Sequence, residues 1–187
     1  MHSDAELLRR ARADTDAFGE LFDRHARAVH GFIARRSGHQ SADDLLSEVF
    51  LRAVEARARV RPHESGSALP WLYGIARNVV RSHLRSRAAP ISGVEAAYVD
   101  WDAVDARVDA RAAAADLRAA LASLTETERD VLLLVAWEQL TVTEAAEALD
   151  ISPNAARSRL HRARARAAAA LAAVQPLDLQ ENPHVSR

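Results

Sequence analysis

The sequence contains no cysteine, few glycines and few aromatic residues, and each shortage excludes a class of protein. Without cysteine, disulfides and thiolate metal sites cannot form, which fits a reducing cytoplasm. Aromatic residues make up 5% of the chain, Gly numbers 6, and alternating β-branched runs are absent, so we expect small helical cores and no strands. No apolar run approaches the roughly 20 residues that span a bilayer, and the N-terminus lacks a signal-peptide pattern. We therefore expect a cytoplasmic protein with no membrane association.

The formal net charge of -1 averages over segments of opposite charge. Residues 89–116 are rich in aspartate and contain the helix breakers Pro90 and Gly93, whereas the segments on either side carry arginine-rich helices. Only local charge acts within a Debye length of about 8–10 Å, so a near-neutral total does not exclude a nucleic-acid partner. We predict an acidic linker over 89–116 between helical domains at 1–88 and 117–172, each with its own small core. A disordered tail is predicted over 173–187.

The 8 histidines raise the question of metal or general-base chemistry. His25 and His30 are five residues apart and do not share a helix face, and no histidine stands in an HExxH pattern. The chain has no GxSxG motif, no glycine-rich phosphate loop and no cysteine nucleophile. We predict no catalytic residue, no metal and no cofactor, and therefore no enzyme.

The stretch from Thr141 to Arg166 has the local signals of a helix-turn-helix. Thr141 and Glu144 match a capping box at the start of a short helix. Asp150 and Ile151 then interrupt the pattern. Ser152 is an N-cap candidate, and Pro153 follows at a position where its missing N–H costs nothing. These features predict two helices joined by a tight turn.

The second of these helices is basic on one side. Ala156, Leu160 and Ala163 share an apolar side at about 100° per residue. A helix that enters a major groove needs long hydrogen-bond donors near its N-terminus and cations along its flank. A solvated Arg/Ala helix is the alternative, but the capped helix and turn before it favour DNA binding. The side chains on the opposite side are Arg157, Ser158, His161 and Arg162.

The N-terminal part of the chain reads as helices with apolar stripes. Ser3 with Glu6 predicts the first cap, a break between Ala13 and Asp16 separates a short helix from a longer one, and Gly38 ends the segment. Ser41 with Asp44 predicts the cap of the next helix, which extends to about Arg59.

The helix after Ser41 has an acidic ridge, which we define as Asp44, Ser47, Glu48 and Leu51. An outward leucine among carboxylates suggests a partner with a basic, partly apolar surface. The alternative is an ordinary solvated face, because scattered exposed leucines are normal.

A strong helix follows Pro70 and carries a stripe of Arg77, Arg81 and Arg85, with Asn78 beside it. Like charges four residues apart repel each other by a few tenths of a kcal/mol per pair. We expect a polyanion to neutralise this arginine stripe. A solvated basic face is the alternative.

Three stretches together resemble the bacterial RNA polymerase sigma factors of the sigma-70 family, in particular the extracytoplasmic-function (ECF) group. SADDLLSEVFLRA is similar to the helix that binds core polymerase. PWLYGIARNVVRSHLR is similar to the helix that reads the minus-ten promoter element. LTETERDVLLLVAWEQLTVTEAAEALDISPNAARSRLHRARAR resembles the domain that reads the minus-thirty-five element. The resemblance covers roughly residues 4–87 and 117–171 and implies an all-α fold of two helical domains, the second containing the helix-turn-helix.

The resemblance also implies partners for each surface: core RNA polymerase through its clamp and flap, promoter DNA, and an anti-sigma factor as a further candidate. The acidic ridge of Asp44, Ser47, Glu48 and Leu51 would bind the clamp. The arginine stripe of Arg77, Arg81 and Arg85, with Asn78, would bind minus-ten DNA, and the loop Glu64–Leu69 would hold a base flipped from the melted strand. The residues implied for the minus-thirty-five element are Asn154, Arg157, Ser158, His161 and Arg162.

Three places depart from the family pattern. Asn154-Ala155-Ala156 stands where the recognition helix usually starts with Gly-Thr-Val, and the loss of the valine thins the packing under that helix. Asp150 stands where glycine is usual in the turn, and Asp tolerates a left-handed conformation better than most residues. Ala68 stands where an aromatic residue is common in the loop before Trp71. The leading expectation is a promoter-specificity subunit. The alternatives are a stand-alone helix-turn-helix transcriptional regulator and a helical interaction module with no DNA role.

Overall fold

The computed structural model describes residues 2–87 and 108–174, and within these ranges the chain forms helices and no strand, which confirms the all-α prediction. No helix in the described part has the length and hydropathy needed to cross a membrane. The helices are α1 Asp4–Arg10, α2 Thr15–Ser37, α3 His39–Ala56, α4 Leu69–Arg87, α5 Val108–Ala122, α6 Glu126–Ala136, α7 Val142–Ala148 and α8 Pro153–Val174.

The N-terminal unit consists of α1 to α4, with α2, α3 and α4 packed against one another. Ser3 caps α1 as predicted, because its hydroxyl accepts a hydrogen bond from the Glu6 amide. The predicted break before Asp16 is confirmed, since Asp14 caps a new helix there. Large apolar side chains fill the centre and remove the greatest apolar area from water. The largest of them include Leu7, Leu8, Leu21, Phe32, Ile33 and Leu72.

The predicted start of α3 is wrong, because the N-cap is Gly38 and not Ser41, three residues later. The helix begins at His39, and Ser41 lies inside it rather than at its N-cap. Gly38 separates α2 from α3 with φ of 81°, a backbone conformation that residues with a Cβ rarely adopt. The change of direction between α2 and α3 is therefore made at Gly38 alone, and α3 begins without a side-chain cap.

The C-terminal unit consists of α5 to α8, and its caps agree with the sequence. Thr125 and Glu128 form a reciprocal capping box at α6, and Thr141 and Glu144 form another at α7. Buried side chains from α6, α7 and α8 make small cores of their own within this unit. Helix α5 begins at Val108, so part of the segment predicted as linker is helical. The rest of that segment, and the predicted tail beyond residue 174, lie outside the described residues.

Besides these small cores, the two units share a buried cluster, so their cores are not independent as the sequence-based expectation had them. Helix α7 packs directly on α4. Leu134, Leu140, Ala145 and Ala148 of the C-terminal unit belong to the same buried cluster as the side chains of α2, α3 and α4. Glu138, which has a side chain only 4% exposed, bridges to Arg35 and Arg36 of α2 at 2.6 and 3.3 Å. The unit interface is thus both apolar and ionic.

Candidate nucleic-acid and polymerase interfaces

The turn between α7 and α8 has the geometry that the sequence predicts. Asp150 adopts a left-handed conformation with φ of 52°. The Ile151 amide donates to the Ala146 carbonyl and the Asp150 amide to the Glu147 carbonyl, each at 3.0 Å. This pair of hydrogen bonds is a Schellman motif, which satisfies the last carbonyls of α7. Asp150 therefore performs the role of the usual glycine, and the helix-turn-helix prediction is confirmed.

Helix α8 begins where predicted and presents its polar side outward. The Ser152 hydroxyl accepts a hydrogen bond from the Ala155 amide at 3.2 Å, and Ala156, Leu160 and Ala163 are buried. Asn154 is exposed, and its side-chain oxygen accepts a hydrogen bond from Arg157 at 2.8 Å. This side of α8 is a continuous polar surface with long donors in its first turns. The other predicted DNA contacts on it, all exposed, are Ser158, His161 and Arg162.

Glu128 holds α8 against α6, a role that its spacing from Thr125 in a capping box does not reveal. Its carboxylate accepts hydrogen bonds from Arg162 at 3.2 Å and Arg166 at 2.7 Å, while it also caps α6 through Thr125. Burial alone would raise the pKa of Glu128, but the hydrogen bonds from Thr125 and Arg162 and the charge of Arg166 outweigh it and lower that pKa. Arg162 therefore orients α8 as well as lying on its exposed side.

The acidic ridge on α3 faces solvent. Leu51 is 61% exposed, the largest value among the exposed large hydrophobic residues of the described chain. Asp44 and Ser47 are exposed beside it, and the Ser47 hydroxyl donates to the Asp43 carbonyl at 3.1 Å. Glu48 forms an ion pair with Arg52 one turn further on. The outward leucine predicted from the sequence is confirmed.

The arginine stripe on α4 is divided between solvent and the C-terminal unit. Arg85 and Asn78 are exposed. Arg77 donates from Nε to Asp130 at 2.6 Å, and its side chain is only 15% exposed. Arg81 pairs with Glu126 at 2.7 Å and is 38% exposed. The sequence alone suggests that all three arginines of the stripe are solvated. In the structure, two of the three are paired with carboxylates of the same chain.

The loop before α4 is held in place by Asp4, a residue that sequence reasoning missed. Oδ2 of Asp4 accepts the Ala68 amide at 2.9 Å and lies 2.7 Å from Nε2 of His25, while Oδ1 accepts Arg24 at 2.6 Å. Burial raises the pKa of this carboxyl, but the Ala68 amide, Arg24 and His25 outweigh burial and lower it. Asp4 is hard to find from the sequence because its partners lie 20 to 64 residues away.

His30 and His63 each lie beside a single carboxylate. His30 lies 3.1 Å from Asp43, and His63 lies 3.5 Å from Glu147 across the unit interface. In the ranges 2–87 and 108–174 no three or more potential metal ligands come together.

The fold and these surfaces define an all-helical DNA-binding protein. One unit carries a helix-turn-helix, and the other carries a separate helix with an arginine stripe. The family model for sigma-70 region 2 matches residues 21–89, and that for sigma-70, region 4 matches residues 114–166. The chain is 36% identical to the RNA polymerase sigma factor CarQ of Myxococcus xanthus over 158 residues, which cover 79% of this chain and 84% of that protein. It is also 31% identical over 146 residues to the ECF RNA polymerase sigma factor EcfG of Rhodopseudomonas palustris, covering 77% and 79%.

A solved structure of CnrH in complex with the cytosolic domain of CnrY is similar across nearly the whole fold, with a TM-score of 0.63 and 27% identity, covering 92% of this chain and 99% of that one. The chain belongs to the ECF group of the sigma-70 family. It is an RNA polymerase sigma factor that directs transcription initiation at promoters, and not a stand-alone regulator. Its partners are therefore core RNA polymerase and promoter DNA.

Proposed function

We infer that this sigma factor uses three separate surfaces, one for each contact that initiation requires. The acidic ridge of Asp44, Ser47, Glu48 and Leu51 binds the clamp of core polymerase. The observation that carries this assignment is the 61% exposure of Leu51 among acidic and polar neighbours. An apolar side chain gains most from burial when it starts fully hydrated, and ionic neighbours steer a basic partner toward it.

The arginine stripe with Asn78 contacts minus-ten DNA. Guanidinium groups bind phosphates with paired hydrogen bonds, and Asn78 has both a donor and an acceptor for a base edge. The loop Glu64–Leu69 ends at the first residue of α4, so a base extruded from the melted strand would be bound near the stripe. Capture of that base offsets the few kcal/mol that unstacking costs.

The exposed side of α8 contacts the minus-thirty-five major groove. Arg157 and Arg162 supply long donors near the N-terminal half of the helix, where groove-binding helices place their base contacts. Ser158 and His161 lie between them, and Asn154 orients Arg157 through its side-chain oxygen. Loss of one such arginine is expected to relax sequence discrimination rather than to weaken binding uniformly.

The chain makes and breaks no bond in this mechanism, so we propose that it is not an enzyme. It works in the cytoplasm, where the polymerase is found. An anti-sigma factor that covers one of the three surfaces would control it, since blocking any one of the three contacts prevents initiation.

The test is binding to sigma-free core polymerase. Glu48→Lys with Leu51→Ala should abolish the association while both units keep their helical content. A matched control is Asp116→Lys with Leu117→Ala, which changes an acidic residue and a 38% exposed leucine on α5 in the other unit. Unchanged affinity of the ridge variant, or equal loss in the control, would refute the ridge assignment.

A further inference from the structure

The carboxylate of Glu128 is the point at which two arginines of α8 are tied to α6. The Glu128 side chain is 4% exposed, and Arg162 donates to its Oε1 from Nε at 3.2 Å while Arg166 donates to its Oε2 from Nη1 at 2.7 Å. The two arginine side chains are each about half exposed, at 52% and 51%. One buried anion therefore serves two cations that lie one turn apart, and one of them, Arg162, belongs to the surface assigned to the minus-thirty-five element.

Arg162 is held in a way that leaves its terminal nitrogens available. A guanidinium has five N–H donors, one on Nε and two on each Nη atom. In the part of the chain that the structure describes, the Arg162 side chain donates through Nε alone. The pair of Nη1 and Nη2 is a fork that can bind O6 and N7 of a guanine edge, or two oxygens of a phosphate, with parallel hydrogen bonds. Glu128 thus takes the one donor that this fork does not need.

The carboxylate that holds Arg162 is itself fixed. Oε2 of Glu128 accepts a hydrogen bond from the Thr125 amide at 3.2 Å, and the Glu128 amide donates to the Thr125 hydroxyl at 3.4 Å. Leu133 of α6 and Ala163 of α8 lie in one buried cluster, so the two helices are also packed together. Because a fixed anion restricts the rotamers of its partner, Arg162 loses less conformational freedom on binding DNA than an unrestrained arginine does.

Arg157, the other arginine assigned to the groove, is held less firmly. Its Nη1 donates to the side-chain oxygen of Asn154 at 2.8 Å, and both residues are exposed on the same helix. A neutral amide oxygen in solvent binds a guanidinium more weakly than a buried carboxylate does, because the second hydrogen bond is charge-assisted on both sides. The two arginines therefore differ: Arg162 is paired with a buried anion and Arg157 with an exposed amide.

We propose that Glu128 is a positioning residue for base recognition: it directs the terminal nitrogens of Arg162 to one base edge of the minus-thirty-five element and restrains Arg162 and Arg166 from binding neighbouring phosphates. An unrestrained arginine binds the phosphates of any sequence, which raises affinity without discrimination. Guanine is the base whose two acceptors match the fork of Arg162. The proposal rests on the assignment of α8 to the major groove in the proposed function.

The test variant is Glu128→Gln, because glutamine still caps α6 through its side-chain oxygen but carries no charge to hold the two arginines. The matched control is Glu144→Gln. Glu144 forms the same reciprocal capping box at α7, it is 8% exposed, and no arginine pairs with it among the described residues. Both variants should keep their helical content. Arg162→Ala and Arg157→Ala mark the base positions that each arginine contacts.

Base preference is measured with holoenzyme assembled from core polymerase and each full-length variant. Random-sequence duplex DNA that spans both promoter elements is selected by binding and sequenced. Glu128→Gln should lower the preference at the position affected by Arg162→Ala by about fivefold or more, and leave the position that depends on Arg157 unchanged. Adding Glu128→Gln to Arg162→Ala should cause no further loss, because the two residues act as one unit. Glu144→Gln should keep the preference of the unmodified chain at every position.

Salt dependence separates positioning from a purely structural role of Glu128. In Glu128→Gln the released guanidinium groups can bind phosphates, so the slope of log affinity against log salt on random duplex DNA should steepen by about one to two. A loosened α8 would instead flatten this slope and lower the preference at every position, and that result would overturn the proposal. Additive losses in the double variant of Glu128 and Arg162 would overturn it as well.

Two further outcomes separate a failure of this proposal from a failure of the proposed function. If Arg162→Ala changes the preference at no position while Arg157→Ala does, the role given to Glu128 is wrong, and α8 still contacts the groove. If neither arginine variant changes any position, the assignment of α8 to the minus-thirty-five element is wrong, and the role of Glu128 fails with it.

Discussion

Asp4 and His25, from the first two helices, face each other across 2.7 Å between Oδ2 and Nε2, and both side chains are 9% exposed. The same carboxylate accepts the amide of Ala68, the residue directly before α4. One buried carboxylate therefore ties α1 and α2 to the loop that we assign to the flipped base. Its removal should affect both the stability of the N-terminal unit and the position of that loop.

Asp4→Asn should lower the free energy of unfolding by about 2–4 kcal/mol at neutral pH, because Arg24 and the Ala68 amide lose a charged acceptor in a buried site. Urea unfolding measures this loss. Asp23→Asn, an exposed position on α2, is the control and should change stability by less than about 0.5 kcal/mol. Equal stability of the two variants would contradict the role given to Asp4.

The stability difference between the unmodified chain and Asp4→Asn should depend on pH. The folded-state pKa of Asp4 lies below its ordinary value, so its ionised form stabilises the fold above the unfolded pKa of about 3.9. That contribution is lost as pH falls through the folded pKa. Urea midpoints between about pH 6 and pH 3 should therefore converge toward the acid end. A constant gap would show that Asp4 acts by packing alone.

Glu128 has two roles that two substitutions can separate. Glu128→Gln keeps a side chain able to cap α6 but loses the ion pairs with Arg162 and Arg166, and we expect a loss of about 1–2 kcal/mol. Glu128→Ala also removes the cap and should cost about 1 kcal/mol more. Thermal unfolding at fixed pH compares them. Glu144→Gln is the control, because Glu144 caps α7 with Thr141 but has no arginine partner among the described residues, and it should cost less than Glu128→Gln.

Asp150→Gly should stabilise the chain by about 0.5–1 kcal/mol, since glycine adopts the left-handed conformation at φ of 52° without a Cβ penalty. Asp150→Ala should destabilise it by about 1 kcal/mol for the opposite reason. The two shifts in unfolding temperature should have opposite signs. Shifts of the same sign would mean that the Asp150 carboxylate, rather than its backbone, determines the turn.

Arg157→Ala should lose about 1–3 kcal/mol of discrimination between a cognate minus-thirty-five element and a mutated one. Footprinting of the reconstituted holoenzyme on both promoters measures the ratio. Arg118→Ala, an exposed position on α5, should leave the ratio unchanged. An unaltered footprint with Arg157→Ala would count against the assignment of α8 to the major groove.

Caps and turns could be predicted because their signals are local. The Thr125–Glu128 and Thr141–Glu144 boxes and the Ser152 cap each depend on residues three positions apart, and each is present. The start of α3 was mispredicted for a related reason. Ser41 and Asp44 have the spacing of a cap, but Gly38 turns the chain before them. The backbone conformation of one glycine overrode a side-chain pattern.

Contacts between the units could not be predicted because no periodicity encodes them. Tyr73 of α4 is 3% exposed, and its ring is stacked on that of Phe32 with 4.9 Å between the ring centroids. Burial, followed by the negative charge of Glu138 from the other unit, raises the pKa of its phenol. Arg77 and Asp130 are 53 residues apart in the sequence. Only the fold shows that such residues share an interface.

Because α4 and its carboxylate partners on α6 belong to one polypeptide, their encounter is unimolecular. A tether of this kind gives an effective concentration that reaches the millimolar range for short connections, whatever the abundance of the protein. Raising the concentration of the protein therefore does not change the fraction of molecules in which Arg77 is paired with Asp130, as it would for a contact between separate molecules.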